Sequence, residues 1–517
     1  MQFRLSDWYE RGRARLEGKW QGQGRTGEEF TRNGHLYEHD LDILGSGSIF
    51  DLLATTRSAA GAERLAAFLL DPTDIATTRA RQTAVAELQP QTELRESLAL
   101  VGRYAFQECD ARTLRNWFSA PVLEVSAIVS LYLFLSSVSV LVFGILALIG
   151  FLTWQFVVPF LLPLLAIQAL AGLALMRRIR PVLDSIAPLT TELAVLKDGL
   201  AVMRRQNFAS EKLTALTDSI TPDALACMTA LRCLAGACEQ RRKDVFYQFS
   251  FFLCLGTQLA LSIERWRRKH GADLACWLDA WAEFEALNAI ACYAFEHSGH
   301  IFPQVVEAPA LFQAENLGHP LLPAARCITN DIHLDHTTAF HLITGSNMAG
   351  KSTWLRAIGI AAVLAAAGAP VCATYARMSL FTVCASISIV DSLATSKSKF
   401  LAEVERLRAA IAAAQQHPPV LFLIDEILSG TNSADRRKVA ASVLHALVSA
   451  GAVGLLSTHD SALAGLAGEV RLRGRNFHMD SENPDDPLDF DYRVKAGPLQ
   501  HTNAMAISRM VGIKMPS

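Results

Sequence analysis

The 517-residue chain is short of charge. Asp, Glu, Lys and Arg make up 19% of it, against about 25% in an average soluble protein. Neither sign dominates: 48 Lys and Arg stand against 50 Asp and Glu, a formal net charge of −2. That excludes a strong positive field over the whole surface of the kind that gathers nucleic acid, and leaves room only for local basic patches. Intrinsic disorder is excluded as well, because it needs few apolar residues and much charge. Here 51% of residues are apolar and mean hydropathy is +0.23. The ten cysteines form no CxxC pair, so the tight thiolate pairs of a zinc ribbon are missing. They read as free thiols of a reducing compartment. No apolar h-region follows Met1, so no signal peptide is expected. No internal repeat with a period of 20–50 residues is found.

The longest gap in charge is also the most informative. Residues 125–176, 52 in all, contain no Asp, Glu, Lys, Arg or His. A bilayer core of about 30 Å is crossed by about 20 helical residues, so this run predicts a transmembrane helical hairpin with spans 125–149 and 155–176. Gly150 and Trp154 mark the turn, an indole being suited to the interface. Pro159 and Pro163 fall in the second span, where a membrane helix tolerates them. Arg103, Arg112 and Arg115 precede the run, and Arg177, Arg178 and Arg180 follow it. Basic residues at both outer ends predict a membrane protein with both termini in the cytoplasm; the alternative is a cytoplasmic protein with a buried hairpin. A third apolar segment, 245–263, carries Gln248, Ser250, Thr257, Gln258 and Ser262. It is read as a core or interfacial helix.

The remaining texture divides the chain further. Residues 1–35 read as a charged N-terminal helix and a glycine-rich linker. Residues 36–120 and 181–300 show apolar positions three and four apart and read as two parts of a helical core, with the hairpin, 121–180, between them. From 301 to 517 short β-rich runs alternate with helical stretches, the signature of an α/β domain with a largely parallel sheet.

That last region holds the chemistry. Gly345-Ser346-Asn347-Met348-Ala349-Gly350-Lys351-Ser352-Thr353 fits the GxxxxGK[ST] pattern. An apolar run at 340–343 leads in and a helical run at 354–367 leads out. In such a loop the backbone N–H groups surround the phosphates of ATP at a helix N-terminus. Lys351 adds a point charge there, and the Ser352 hydroxyl is a ligand for Mg²⁺. Four apolar residues at 421–424 lead to Asp425 and Glu426, two carboxylates at the C-terminal end of a predicted strand, where open α/β sheets bind ligands. Asp425 is expected in the Mg²⁺ shell and Glu426 as the group that orients and deprotonates water. A further strand at 453–456 delivers Ser457-Thr458-His459-Asp460, with His459 placed to contact a terminal phosphate. Between these motifs, a serine-rich stretch, 392–398, precedes a helix at 400–415. It reads as a second phosphate clamp or as an ordinary N-cap, with Ser396 or Ser398 capping and Glu403 near the first turn.

The order of loop, serine stretch, Asp-Glu strand and His resembles the ABC-type ATPases. In detail "TGSNMAGKST", "SKSKFLAE", "LIDEILSGTN" and "STHD" resemble the MutS family of DNA mismatch repair ATPases. "NLGHPLL" and "ITNDIHL" are similar to the strands entering that family's ATPase domain, and "GSIFDLLATTRSAAGAERLAAFLLDP" to the start of its core, or lever, domain. The resemblance covers residues 36–115 and 270–512. It implies a composite site in a homodimer, with Ser398 of one chain reaching the γ-phosphate held by the other. Gly345 to Thr353 would hold phosphates, Ser352 and Asp425 the metal, Asp425 and Glu426 would act in hydrolysis, and His459 in sensing. DNA is an implied partner.

The departures are equally specific. Residues 1–35 contain no Phe-x-Glu mismatch reader in context, so direct mismatch reading is not expected. The hairpin stands where the family has long lever and clamp arms. Ser396 replaces the usual Gly and Lys399 the usual Thr of the signature, and Cys327 stands where an aromatic stacks on adenine. The functions in competition are therefore a membrane-anchored MutS-like ATPase, a DNA-binding repair protein using the basic runs at 204–205, 241–243 and 265–269, and an ABC-type transport component.

Overall fold

A computed structural model describes residues 2–102, 117–118, 125–186, 189–241, 255–346, 348–387, 399–428, 433–481 and 489–499. The first half is helical. It comprises α1 (Gln2–Leu16), α2 (Ile49–Leu53), α3 (Ala59–Leu70), α4 (Ile75–Leu88), α5 (Thr92–Ala99), α6 (Ala127–Leu148), α7 (Trp154–Ile186), α8 (Thr190–Met203), α9 (Glu211–Asp218), α10 (Ala224–Arg241) and α11 (Leu255–Glu296). Short polar side chains start several of these. Ser48, Ser58 and Asp74 each accept a bond from the backbone N–H three residues on, satisfying a donor that the first helical turn leaves open.

The axis of this half is α11, 42 residues long. The 245–263 segment is described only from 255, where it forms the first turns of α11. Trp277, Trp281 and Phe284 are fully buried along it, each worth roughly 3 kcal/mol in transfer from water. Gly199 on α8 allows a close approach, since a Cβ there would lie 2.4 Å from the Trp281 ring. Glu285, also on α11, accepts bonds from Arg57 N (2.6 Å) and Ser58 N (3.2 Å) at the start of α3.

Helices α6 and α7 are each long and apolar enough to cross a membrane. Ile128, Phe134, Leu135, Phe156, Phe160 and Leu170 on them are more than half exposed. Their mutual contact is partly polar: Gln168, fully buried, donates to Ser136 Oγ at 2.7 Å and Ser137 Oγ at 3.3 Å. α7 runs ten residues past the predicted span, through Arg177, Arg178 and Arg180, and joins the helical core at Ile179, Leu183 and Ile186.

The C-terminal half is α/β. Its strands are β1 (Gln304–Val305), β2 (Phe312–Leu317), β3 (Asn330–Leu334), β4 (Phe340–Gly345), β5 (Tyr375–Met378), β6 (Thr382–Ser386), β7 (Val420–Asp425), β8 (Val453–Thr458), β9 (Gly474–Met479) and β10 (Lys495–Ala496). Its helices are α12 (Lys351–Ala367), α13 (Lys399–Ala413) and α14 (Ser433–Ser449). The main sheet has the order β10-β9-β4-β8-β7-β6, parallel except for β10. β4, β7 and β8 lie inside it and are buried at nearly every position, as expected of strands covered on both faces. A smaller sheet, β1-β5-β2-β3, stands beside it. Of "NLGHPLL", only Asn316 and Leu317 are in a strand; the rest turns.

Residues 36–43 reach across to the α/β half. Ala385 N donates to Leu36 O at 2.9 Å, so this strap lies against the otherwise open edge of β6. Leu41 packs over Gly359 of α12, where a Cβ would lie 2.7 Å from it, and Arg356 pairs with Asp42 at 2.8 Å.

Candidate nucleotide-binding active site

The central strands β4, β7 and β8 end side by side, with Ile343 beside Ser457 and Asp425 beside Ser457 in register. This brings the predicted loop, the acidic pair and the His-bearing turn to one edge of the sheet. The loop leaves β4 at Gly345, where an added Cβ would sit 2.3 Å from Met479 O; no side chain fits between the strands there. It enters α12 at Gly350, whose φ of +93° favours glycine and whose Cβ would meet the Tyr492 ring at 2.9 Å. Asn347 lies outside the described residues. Met348 is exposed and Ala349 is buried beneath the loop.

Lys351 is buried and folds back on its own loop, donating to Gly345 O at 2.9 Å and Ser346 O at 2.7 Å. Burial holds its ammonium below the ordinary lysine range, with Asp425 and Glu426 opposing that shift. An ammonium held on two carbonyls is a cation ready to exchange those partners for phosphate oxygens. Thr353 follows on the first turn of α12 and is exposed.

Both oxygens of Asp425 receive hydroxyls. Ser352 Oγ donates to Oδ2 at 2.5 Å and Ser457 Oγ donates to Oδ1. A hydroxyl and a carboxylate in contact at the end of a strand form the hard-oxygen donor set that suits Mg²⁺. The residues present fit that ion, with Ser352 and Asp425 as its holders. Glu426, next along, has φ +53°, and Leu428 has φ +51°, a left-handed conformation that costs about 1–3 kcal/mol per non-glycine residue and gathers at functional sites. Glu426 N is fixed on Ser457 O at 3.0 Å and Leu428 N on Glu403 Oε1 at 2.5 Å. The Glu426 carboxylate points out to His459, Oε1 to Nδ1 at 3.2 Å, with both side chains partly exposed.

Two further expectations meet the structure here. Ser396 and Ser398 lie outside the described residues, as does the Lys399 side chain. Cys327 sits in the turn before β3 with its thiol against that of Cys372; a Cβ on Gly318 would touch both sulfurs, at 2.6 and 3.0 Å. The Cys372 thiol donates to it and pulls its pKa down to about 6. The residues that sequence reasoning passed over are Ser457, Glu403 in its contact with Leu428, and Tyr492. Only Ser457 carried a signal, its place at the end of a predicted strand.

Residues 341–516 match the family model described as MutS domain V. Over this domain the chain is similar to the MutS family. The DNA mismatch repair protein MutS of Lactobacillus delbrueckii is 32% identical over 205 residues, 38% of this chain and 24% of the relative. MutS of Thermus thermophilus is 30% identical over 277 residues, 53% and 33%. The DNA mismatch repair protein MutS 2 of Halobacterium salinarum is 27% identical over 282 residues, 54% and 31%. The chain thus spans a quarter to a third of the length of these MutS relatives.

Proposed function

We propose that the protein is a Mg²⁺-dependent ATPase of MutS type, anchored in a membrane by α6 and α7 and active as a homodimer. The observation that carries the catalytic part is the convergence of Lys351, Ser352, Asp425 and Glu426 at one sheet edge, with Asp425 already holding the hydroxyl of Ser352. Lys351 and the N-terminal amides of α12 bind the β- and γ-phosphates. Ser352 and Asp425 hold Mg²⁺, which when bound neutralises phosphate charge. Glu426 accepts a proton from the attacking water, and His459 orients its carboxylate and meets the γ-phosphate. Ser398 of the partner subunit completes the site in trans. The ATPase domain and both termini lie in the cytoplasm.

The bilayer reading is supported by the exposed apolar faces of α6 and α7, which in water would form a patch far larger than monomers tolerate. A DNA-binding reading is supported by the printed names of the relatives. Part of the basic run 265–269 is engaged within the chain. Arg267 is buried against Glu264 at 3.0 Å, and Arg265 donates to Ser130 Oγ at 2.5 Å. Among the described residues Arg268 and Lys269 are exposed, as are Arg204 and Arg205, with Arg204 donating to Pro222 O. The run 241–243 falls outside the described side chains.

The test is ATP binding and turnover by the detergent-solubilised protein, alone and with duplex, mismatched and branched DNA. Lys351→Ala is expected to lose Mg·ATP binding. Glu426→Gln is expected to keep binding and lose turnover by roughly 10²–10⁴-fold, the share of a general base. A Glu426→Gln protein that turns over at the wild-type rate removes Glu426 from its role, and a rate and affinity indifferent to every DNA remove the repair reading.

A further inference from the structure

Asp40 belongs to no motif, yet it is fully buried at the edge of the main sheet. Its Oδ1 accepts from Ile387 N, just past β6, at 2.9 Å, and its Oδ2 accepts from Arg406 Nη1 on α13. Arg406 also reaches Ala385 O at 3.5 Å, so one guanidinium ties the strap to both β6 and α13. One turn earlier on the same helix, Glu403, likewise buried, takes the Leu428 amide. Leu428 is two residues beyond Glu426, and both are in the left-handed conformation that the surroundings must impose. A buried carboxylate is costly unless its oxygens are partnered, and here the two carboxylates tie neighbouring positions on one face of α13, one to the N-terminal strap and one to the backbone just past the acidic pair.

We infer that Asp40 is a positioning residue for hydrolysis: the strap sets α13 through Arg406, and α13 sets the Glu426 carboxylate through Glu403 and the Leu428 backbone. This rests on the reading of Glu426 as the base. It gives the helical half a hold on the rate. The strap continues into α2 and α3, which pack on α11, so a shift of the helical half against the sheet reaches Glu426 without touching the phosphate loop. A base displaced by about 1 Å loses up to roughly 100-fold in rate.

The experiment uses the full-length protein in detergent and two readouts, steady-state turnover with Mg·ATP affinity, and amide hydrogen exchange of the 421–428 peptide. Asp40→Asn keeps the size and an acceptor for Ile387 N but drops the charge that holds Arg406. It is expected to lower kcat roughly 10- to 100-fold while Mg·ATP Kd stays within about twofold, the split of a group felt only in the transition state. Exchange at 421–428 is expected to quicken. Glu403→Gln should do the same, and the double variant should be no slower than the worse single one, because the two act in series. Arg406→Gln provides the same break from the other partner if Asp40→Asn does not fold. Unchanged exchange at 421–428 in folded Asp40→Asn or Arg406→Gln overturns the inference, and so does a parallel fall of kcat, affinity and Tm. A wild-type protein without turnover would remove the ATPase reading, and the exchange result would still decide the strap.

Discussion

The stretch of β7 from Leu421 to Ile424 and the run 125–176 are both written in Leu, Ile, Val and Phe, and the structure sends them to opposite surroundings. Leu421, Phe422 and Leu423 are fully buried between flanking strands. Phe134, Leu135, Phe156 and Phe160 project from α6 and α7 with more than half their surface uncovered. Length separates the two. A short strand hides its apolar side chains under two helix layers, whereas paired helices of 22 and 33 residues cover only the seam between them. Polar chemistry follows the same division. In the sheet, polar groups such as Ser457 and Asp425 gather at strand ends; in the hairpin, Gln168, Ser136 and Ser137 face each other.

The sharpest way to break this comparison is a charge on an exposed face. Leu135→Arg, near the middle of α6, is expected to cost about 2.5–3.5 kcal/mol of insertion if that face meets lipid and almost nothing if it meets water. Carbonate extraction of membranes is the measurement. Loss of the integral fraction supports the bilayer, and an unchanged soluble protein ends that reading. A step smaller is Gly345→Ala, which forces a methyl against Met479 O and should cost about 1–3 kcal/mol of overpacking. Thermal unfolding should show the loss in the α/β half, while α6 and α7 stay inserted.

The smallest effect is a pH dependence. His341 on β4 is buried with Nε2 on His333 O at 3.1 Å, and burial lowers its pKa to about 4. The unfolded chain, with a histidine near its ordinary value, takes up a proton that the folded one refuses. This contribution to stability is therefore whole above about pH 6.5 and is lost as pH falls toward about 4. His341→Gln, which retains a donor for His333 O, should flatten the Tm profile over that window. His300 and His319, lowered to about 4 by burial as well, keep the rest of the slope.

Much of the α/β half was legible because its elements carry local signals. The runs at 340–343, 421–424 and 453–456 became β4, β7 and β8, each extended at its C-terminal end by one or two residues, Asp425, Ser457 and Thr458 among them. The 354–367 helix begins three residues earlier, at Lys351, because the left-handed Gly350 turns the chain directly into it. The strap was not legible. Asp40 has the look of any acidic residue in a polar stretch, and its partners Ile387 and Arg406 lie more than 340 residues away. No periodicity encodes such a contact. Within the basic run 265–269 only the burial of Arg267 against Glu264 was not legible, for a related reason: a basic run on a helix looks solvated until its packing face is known.

The unbroken length of α11 has a mechanical consequence. At 1.5 Å per residue its 42 residues form a rod of about 63 Å. Near its start Arg265 holds Ser130 of α6, and at its end Glu296 holds Arg15 just before the chain enters the α/β half. A pivot of about 5° at the end next to the α/β half would carry the tip beside the hairpin through about 5 Å, as a crank turns a small rotation into a stroke.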